Sequence, residues 1–309
     1  MSYPVLLTHC GQYDPKTVYS KVAEMASCID LAGRIRHKKI LLKPNLISAV
    51  APHIACTHPV FIAETARWLL DHGAAQVSVG DSPAYGSAAS AMKRHGILKQ
   101  LSGLGVKTVE FSAGREISLT DGTKVKIGRA ACECDLLINL PKVKAHGQMF
   151  VTLAVKNLFG VVKGHKKAIL HISHGDSTQI FSQMLFEIIA ALPPHISLID
   201  GIYAMHKQGP LKGEAMQLGL VGACENPVAL DMALMDVLQL EPSQSPLLKF
   251  AMASHIAGSD AAELSYPLAK PAEFHGSGFL PPKGLKPISF HPAKLIYGQM
   301  KRLFHKIIS

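Results

Sequence analysis

"KILLKPNLISAVAPHIACTHPVFIAETARWLLDHGAAQVSVGDSPA", residues 39–84, decides the fold. Its first part, 39–45, is an aliphatic run stopped by Pro44, so it reads as a strand ending at a loop. Residues 59–74 open with Pro59 in a first turn and close near Gly73, a helix signature. Residues 75–84 read as a second strand and a turn. Strand, helix and strand in this order predict neighbouring strands with a helix packed between their connections.

The pattern extends outward. A short buried strand is expected at 5–9, an amphipathic helix at 16–30, a helix at 87–101 and a strand at 107–112. "EISLTDGTKVKIG" (116–128) interrupts the alternation as a β-hairpin with Asp121-Gly122 at its turn. "CDLLINLPKVK" (134–144) resumes with a buried strand ended by Pro141. A helix at 182–192, strands at 195–201 and 218–224, and a capped helix at 226–238 follow. The predicted fold class is α/β: a mainly parallel sheet covered by helices, in two lobes with a boundary near 113–134. Residues 1–240 form the α/β domain. Residues 241–309 form a C-terminal extension ending in a basic amphipathic helix over 292–309, where Ile296, Met300, Leu303, Phe304, Ile307 and Ile308 share one face.

Composition narrows the function classes. Of 309 residues 48% are apolar, ample for an aliphatic core, and no run is long and apolar enough to span a bilayer. "MSYPVLLTHC" lacks the basic start of a signal peptide, so the chain is read as cytoplasmic. The six cysteines are scattered; Cys132 and Cys134 form a C-x-C pair without further ligands at metal spacing. A net charge of +10 favours anionic partners.

The charge is concentrated. From Leu136 to Gly175 the chain has no aspartate, glutamate or arginine, yet it carries Lys142, Lys144, Lys156, Lys163, Lys166 and Lys167, with His146, His165, His171 and His174. Lysines crowded without carboxylates disfavour one another's charge, and a lysine so tuned can serve as base or nucleophile. In open α/β sheets ligands bind beyond the carboxyl ends of strands. Four predicted strands end there in polar groups: Lys43 and Asn45; Asp81 and Ser82; Asn139, Lys142, Lys144 and His146; and Asp200.

Structural readings stand beside these. Lys166 and Lys167 read as a solvated loop, and Lys142 and Lys144, pointing the same way from an extended segment, suit an exposed strand face as well as a site. Lys156 stands in an apolar setting, where a lysine needs a partner or a purpose. His171 and His174, three apart with Asp176 beyond, can share a helix face and bind metal, although such a pair is more often structural. His58, at a helix start, can meet an anion or simply begin the helix. Gly209-Pro210 and Gly213 read as a surface turn first and a substrate-facing turn second. Neither GxGxxG nor GxxxxGK[ST] occurs.

"LLKPNL", "THP", "VSVGDSP", "LINLPKVKAHGQMFVTLAVKNLFGVVKG", "KAILH", "LIDGIYAMHKQGP" and "NPVALD", in this order from Lys43 to Asp231, resemble the bacterial and archaeal family catalogued as domain of unknown function 362. The resemblance implies residues rather than a reaction. Its recurring polar positions correspond to Lys43, Asn45, Asp81, Asn139, Lys142, Lys144, His146, Lys156, Asn157, His171, Asp200 and Asp231. Many members carry a ferredoxin-like module. No C-x-x-C-x-x-C run occurs here, so an iron–sulfur role is not carried over. A more distant parallel is the nickel-pincer lactate racemase, another lysine- and histidine-rich α/β protein, by analogy alone.

The resulting expectation is an enzyme or binding protein for a small carboxylate or phosphate. Lys156, His146 and His171 are its candidate catalytic groups. Lys43, Asn45, Asn139, Lys142, Lys144 and Asn157 are its candidate substrate-binding groups. Asp81, Asp200 and Asp231 would orient these or hold a metal, leaving a divalent cation as an open alternative. Nucleic-acid binding is the weaker alternative, since the lysine block lacks arginine and has few aromatics. Membrane-surface contact through the C-terminal helix is a third alternative.

Overall fold

The computed structural model describes residues 2–83, 86–111, 114–175 and 177–287. Ala84, Ser112, Asp176 and the helix expected over 292–309 lie outside the described residues.

A nine-stranded sheet organises the chain. Its strands are β1 (Leu6–His9), β2 (Lys39–Pro44), β3 (Gln76–Asp81), β4 (Lys107–Glu110), β5 (Leu136–Leu140), β6 (Lys142–His146), β7 (Phe150–Thr152), β8 (His195–His206) and β9 (Glu214–Cys224). The labelled helices are α1 (Pro15–Cys28), α2 (Pro59–Asp71), α3 (Ala154–Leu158), α4 (Gly164–Ser173), α5 (Thr178–Ala190) and α6 (Pro227–Val237). The unit 39–84 forms as its sequence predicts: β2 and β3 are parallel neighbours, with α2 between them in the chain. β2 also pairs parallel with β5, and β3 with β4.

The expectation of a mainly parallel sheet needs correction. The sheet is mixed. β8 and β9 are long antiparallel partners, β9 pairs antiparallel with β1, and β7 turns back antiparallel onto β6. The reason is connection length. Residues 147–149 and 207–213 are too short for a crossover, so each forces its strands antiparallel. The glycine-punctuated loop 207–213 is this connection. A side chain at Gly209 would collide with the Ala145 carbonyl, so glycine is required there by close approach.

β5 and β6 are one line of chain interrupted at Pro141, and both pair parallel with the same strand, β8. Pro141 cannot donate, but its carbonyl accepts from the Asp200 amide at 2.9 Å. Alternate residues divide between two cores. Ile40, Leu42 and Ile138 pack with α1 and α2; Leu41, Leu137 and Val143 pack with α5 and α6. The predicted hairpin is present as Glu116–Ser118 against Lys124–Lys126. It docks on the segment after α3, where Gly128 N–H donates to the Val161 carbonyl. The expected helix at 87–101 is two short helices, Ala88–Arg94 and Ile97–Leu101, divided at Gly96 in a left-handed conformation.

Candidate functional site

The carboxyl ends of β2, β3 and β5 and the first half of β6 bring their polar residues together, and three lysines of this edge are 1% exposed: Lys43, Lys142 and Lys144. Burying an ammonium is costly unless it is paired, so its partners decide its role.

Lys43 and Lys142 each have a carboxylate. Lys43 Nζ lies 2.9 Å from Asp81 Oδ1 and donates to the Pro44 carbonyl at 3.0 Å. Asp81 also accepts the amides of Leu46 and Ser82. Gly160 packs against this pair: a Cβ there would overlap Lys43 Nζ and lie 2.8 Å from Asp81 Oδ1. Lys142 Nζ donates to Asp200 Oδ2 at 3.0 Å and to the Tyr13 oxygen at 2.6 Å, while the Tyr13 hydroxyl donates to Asp200 Oδ1 at 2.6 Å. Asp200 Oδ2 also accepts the His58 amide at the start of α2. The anion that meets this helix start is therefore the protein's own carboxylate. Burial lowers the pKa of both lysines, and their carboxylates oppose that shift.

Lys144 differs. It donates to Asn45 Oδ1 at 2.9 Å and to the Ala55 carbonyl at 2.7 Å, both neutral. Burial pushes its pKa down to about 7; Cys56 and Asp81, neither bonded to it, oppose that shift, and repulsion from Lys142 and Lys43 adds to it. Half-buried Lys156 places its ammonium over the rings of Phe159, at 4.4 Å, and Phe181, at 5.4 Å. Burial, then Lys167, Lys144 and Lys43, bring its pKa to about 7. Lys167 is not the solvated loop residue the sequence suggested. It sits on α4, donates to the Ser82 carbonyl and is brought by burial to about 8. Helix periodicity turns it inward, an orientation invisible when α4 is read as a loop.

His146 accepts the amides of Gln148 and Met149 on Nδ1, which puts its proton on Nε2. Burial and the charges of Lys156 and Lys144 hold its pKa well below the usual value. His171 stacks on Phe181 at 4.8 Å and meets Phe159 edge-on. His174 turns away from it to bond Asp121 at 2.8 Å and Ser173 at 2.6 Å, so these two histidines do not converge on one ion. Among the described residues no group of three or more His, Cys, Asp and Glu side chains is arranged to hold a metal.

The asparagines and Asp231 form the frame. Asn157 donates to Asn139 Oδ1 at 2.8 Å, and Asn139 donates to the Ala154 carbonyl and Ser197 Oγ. Asp231 lies on α6 and accepts the amides of Ala154 at 2.7 Å and Val155 at 3.1 Å, capping the helix that carries Lys156. Burial raises its pKa to about 8, against those two hydrogen bonds.

Beside the edge lies a cavity of about 340 Å³ that the sequence reading missed. Tyr13, His53, His58, His95 and Tyr203 face it, with Lys142 in its wall. His95 and His53 bring their Nδ1 atoms within 3.3 Å across 42 positions of sequence, a contact no local motif encodes.

Comparison with known proteins agrees with the sequence resemblance. The model of the family described as domain of unknown function (DUF362) matches residues 40–236. The chain is 35% identical over 272 residues to a thylakoid-associated protein of Synechocystis sp., covering 87% of this chain and 84% of that relative. Two solved structures align with part of this chain. A structural-genomics target from Thermotoga maritima has TM-score 0.47 and 11% identity, and the lactate racemase apoprotein of Thermoanaerobacterium thermosaccharolyticum has TM-score 0.49 and 13% identity. The alignments cover 71% and 76% of this chain and 57% of each solved chain. The chain belongs to the DUF362 family.

Proposed function

We propose, taking that family membership as premise, that the protein binds a small carboxylate- or phosphate-bearing molecule at Lys144, Lys156 and Lys167 and moves a proton on it. One observation carries this reading: Lys144 is wholly buried and its acceptors, Asn45 and Ala55, are both neutral. An uncompensated buried ammonium costs stability that an anionic ligand restores.

Within this reading Lys144 and Lys167 hold the anion. Lys156 has a neutral fraction near pH 7 and acts as the base, while His146 offers Nε2–H as the acid. Lys43 and Lys142, each neutralised by its own carboxylate, fix the geometry. A divalent cation at Asp81 or Asp200 would have to displace Lys43 or Lys142.

The test is thermal stabilisation at low salt by mono- and dicarboxylates and phosphate esters. At a hundredfold excess over Kd a bound ligand contributes about 2.7 kcal/mol. At least one anion should stabilise the native chain and fail to stabilise Lys144→Met. No response from any anion, or an equal response from the variant, rejects the reading.

A second reading, peripheral contact with an anionic membrane surface, has its own observation. Leu211, Leu280 and Leu285 are 43–52% exposed around the β8–β9 connection. Lys212, Lys283 and Lys286 are exposed beside them, and no acidic residue follows Glu273. The relative named as thylakoid-associated accords with it. Among the described residues no helix is long and apolar enough to cross a membrane. Co-sedimentation with phosphatidylglycerol-containing but not phosphatidylcholine vesicles, lost when the three leucines become serine, is the expected result.

A further inference from the structure

We propose that the cavity beside the lysine edge is a second binding site, one that takes an uncharged planar aromatic or heteroaromatic ring. It is separated from Lys144 by the segment 53–58. The Ala55 carbonyl of that segment faces Lys144, whereas His53, Ile54, Cys56, Thr57 and His58 line the cavity.

Three features define the occupant. The first is size: about 340 Å³ lies in the lower range of small-molecule pockets and suits one or two fused rings. The second is the wall. Tyr13 and His58 are stacked at 3.5 Å with 10° between planes, Tyr203 lies 6.1 Å from Tyr13, and His53 and His95 meet edge-on at 4.9 Å. Rings fixed in these attitudes present faces and edges that favour another flat ring over an aliphatic of equal volume.

The third feature is charge. Lys142 is closed by Asp200 and Tyr13. His58 accepts the Val60 amide on Nδ1, so Nε2 carries its proton, and burial holds its pKa down to about 4. Burial likewise lowers the pKa of His95 and raises that of the Cys56 thiol to about 11. Near neutral pH the buried wall thus offers no unpaired charge. The same edge holds uncompensated lysines on the other side of segment 53–58. An anion is directed there, and a neutral ring that can accept a hydrogen bond from His58 Nε2–H is directed here.

The experiment is ligand-observed saturation-transfer NMR and calorimetry on the full chain. Quinoline serves as the neutral flat probe that can accept from His58 Nε2–H, benzoate as the charged ring and cyclohexanol as the non-aromatic control. Quinoline should bind saturably and better than benzoate or cyclohexanol. Its affinity should fall at least tenfold in Ile54→Trp, which fills the cavity, and in Tyr203→Leu, which removes a ring with little change of volume. Matching far-ultraviolet spectra and melting curves would identify variants that fold. Lys144→Met should leave quinoline binding unchanged, so failure of the anion reading and failure of this one are distinguishable. Absence of quinoline binding overturns the proposal, as does equal binding by the native chain and both folded variants. Cyclohexanol binding as well as quinoline would also overturn it, since the cavity would then be merely apolar.

Discussion

Lys142 and Lys144 stand two residues apart on one strand, both 1% exposed, and meet opposite fates. Lys142 is enclosed by Asp200 and the Tyr13 hydroxyl, so its charge belongs to the fold. Lys144 has two neutral oxygens, so its charge is available. A buried lysine is therefore not by itself a sign of chemistry. The balance of formal charge around it separates an architectural lysine from one prepared for a ligand.

The largest expected effect tests the architectural member. Lys142→Met leaves Asp200 buried without its cation and should cost about 3–5 kcal/mol; Lys144→Met orphans only neutral acceptors and also removes an uncompensated charge, so it should cost less than about 2 kcal/mol. Urea unfolding measures both. Equal losses would erase the distinction.

Next is the third lysine of the edge, Lys43. Its pair with Asp81 is packed against Gly160, where a methyl group would overlap the ammonium. Gly160→Ala should cost about 1–3 kcal/mol through forced displacement. An unchanged unfolding midpoint would show that the pair yields easily and that Lys43 belongs with Lys144 after all.

Much of this was legible in the sequence, for identifiable reasons. Hydrophobic alternation and the proline-opened helix at Pro59 gave the α/β class. Asp121-Gly122 marked the hairpin. Lys43, Asn45, Asp81 and Asn139 meet because the carboxyl ends of the parallel neighbours β2, β3 and β5 share an edge; Lys142 and Lys144 follow β5 directly along β6, and Asp200, expected at a strand end, lies midway along β8 opposite Lys142. Strand direction around β8 and β9 was not legible, because periodicity reports burial rather than the sense of pairing. Tyr13, His53 and His95 were missed because they come from separate loops and meet only through tertiary packing. Asp231 reads as a site acid by pattern, yet it caps α3. Only the three-dimensional path shows that its partners are the amides of Ala154 and Val155.

pH gives a smaller effect that resolves the same contrast. Lys144 has a folded pKa of about 7 against an ordinary 10.5. Its burial penalty is complete below about pH 7 and is relieved as pH rises toward the unfolded value, because the unfolded chain then holds the proton the native chain lacks. Asp231, raised to about 8, gives the opposite slope below that pH, and raised thiols such as Cys56 oppose it above about 9. Between about pH 8 and 9 the ligand-free protein should therefore gain stability with pH, by about 1 kcal/mol per unit for each such lysine. Lys144→Met should lower that slope by one lysine's share, and a saturating anion should flatten it further. A native slope that is flat or falling would count against an uncompensated Lys144.

The smallest expected change in stability comes from making Lys144 resemble Lys142. Asn45 offers its Oδ1 to Lys144 at 2.9 Å and is nearly isosteric with aspartate, so Asn45→Asp places a carboxylate where Asp200 stands for Lys142. Attraction within the new pair and the desolvation of its charge roughly cancel, so unfolding at pH 7 should shift by less than about 1 kcal/mol. The proton balance should nevertheless change: Lys144 regains a raised pKa, and its share of the slope between pH 8 and 9 disappears. Stabilisation by added anions should disappear with it, because the internal carboxylate occupies the role of the ligand. A variant that keeps both the slope and the anion response would show that the available charge resides on Lys156 and Lys167. The contrast would then lie between β6 and the helices facing it, rather than between two residues of one strand.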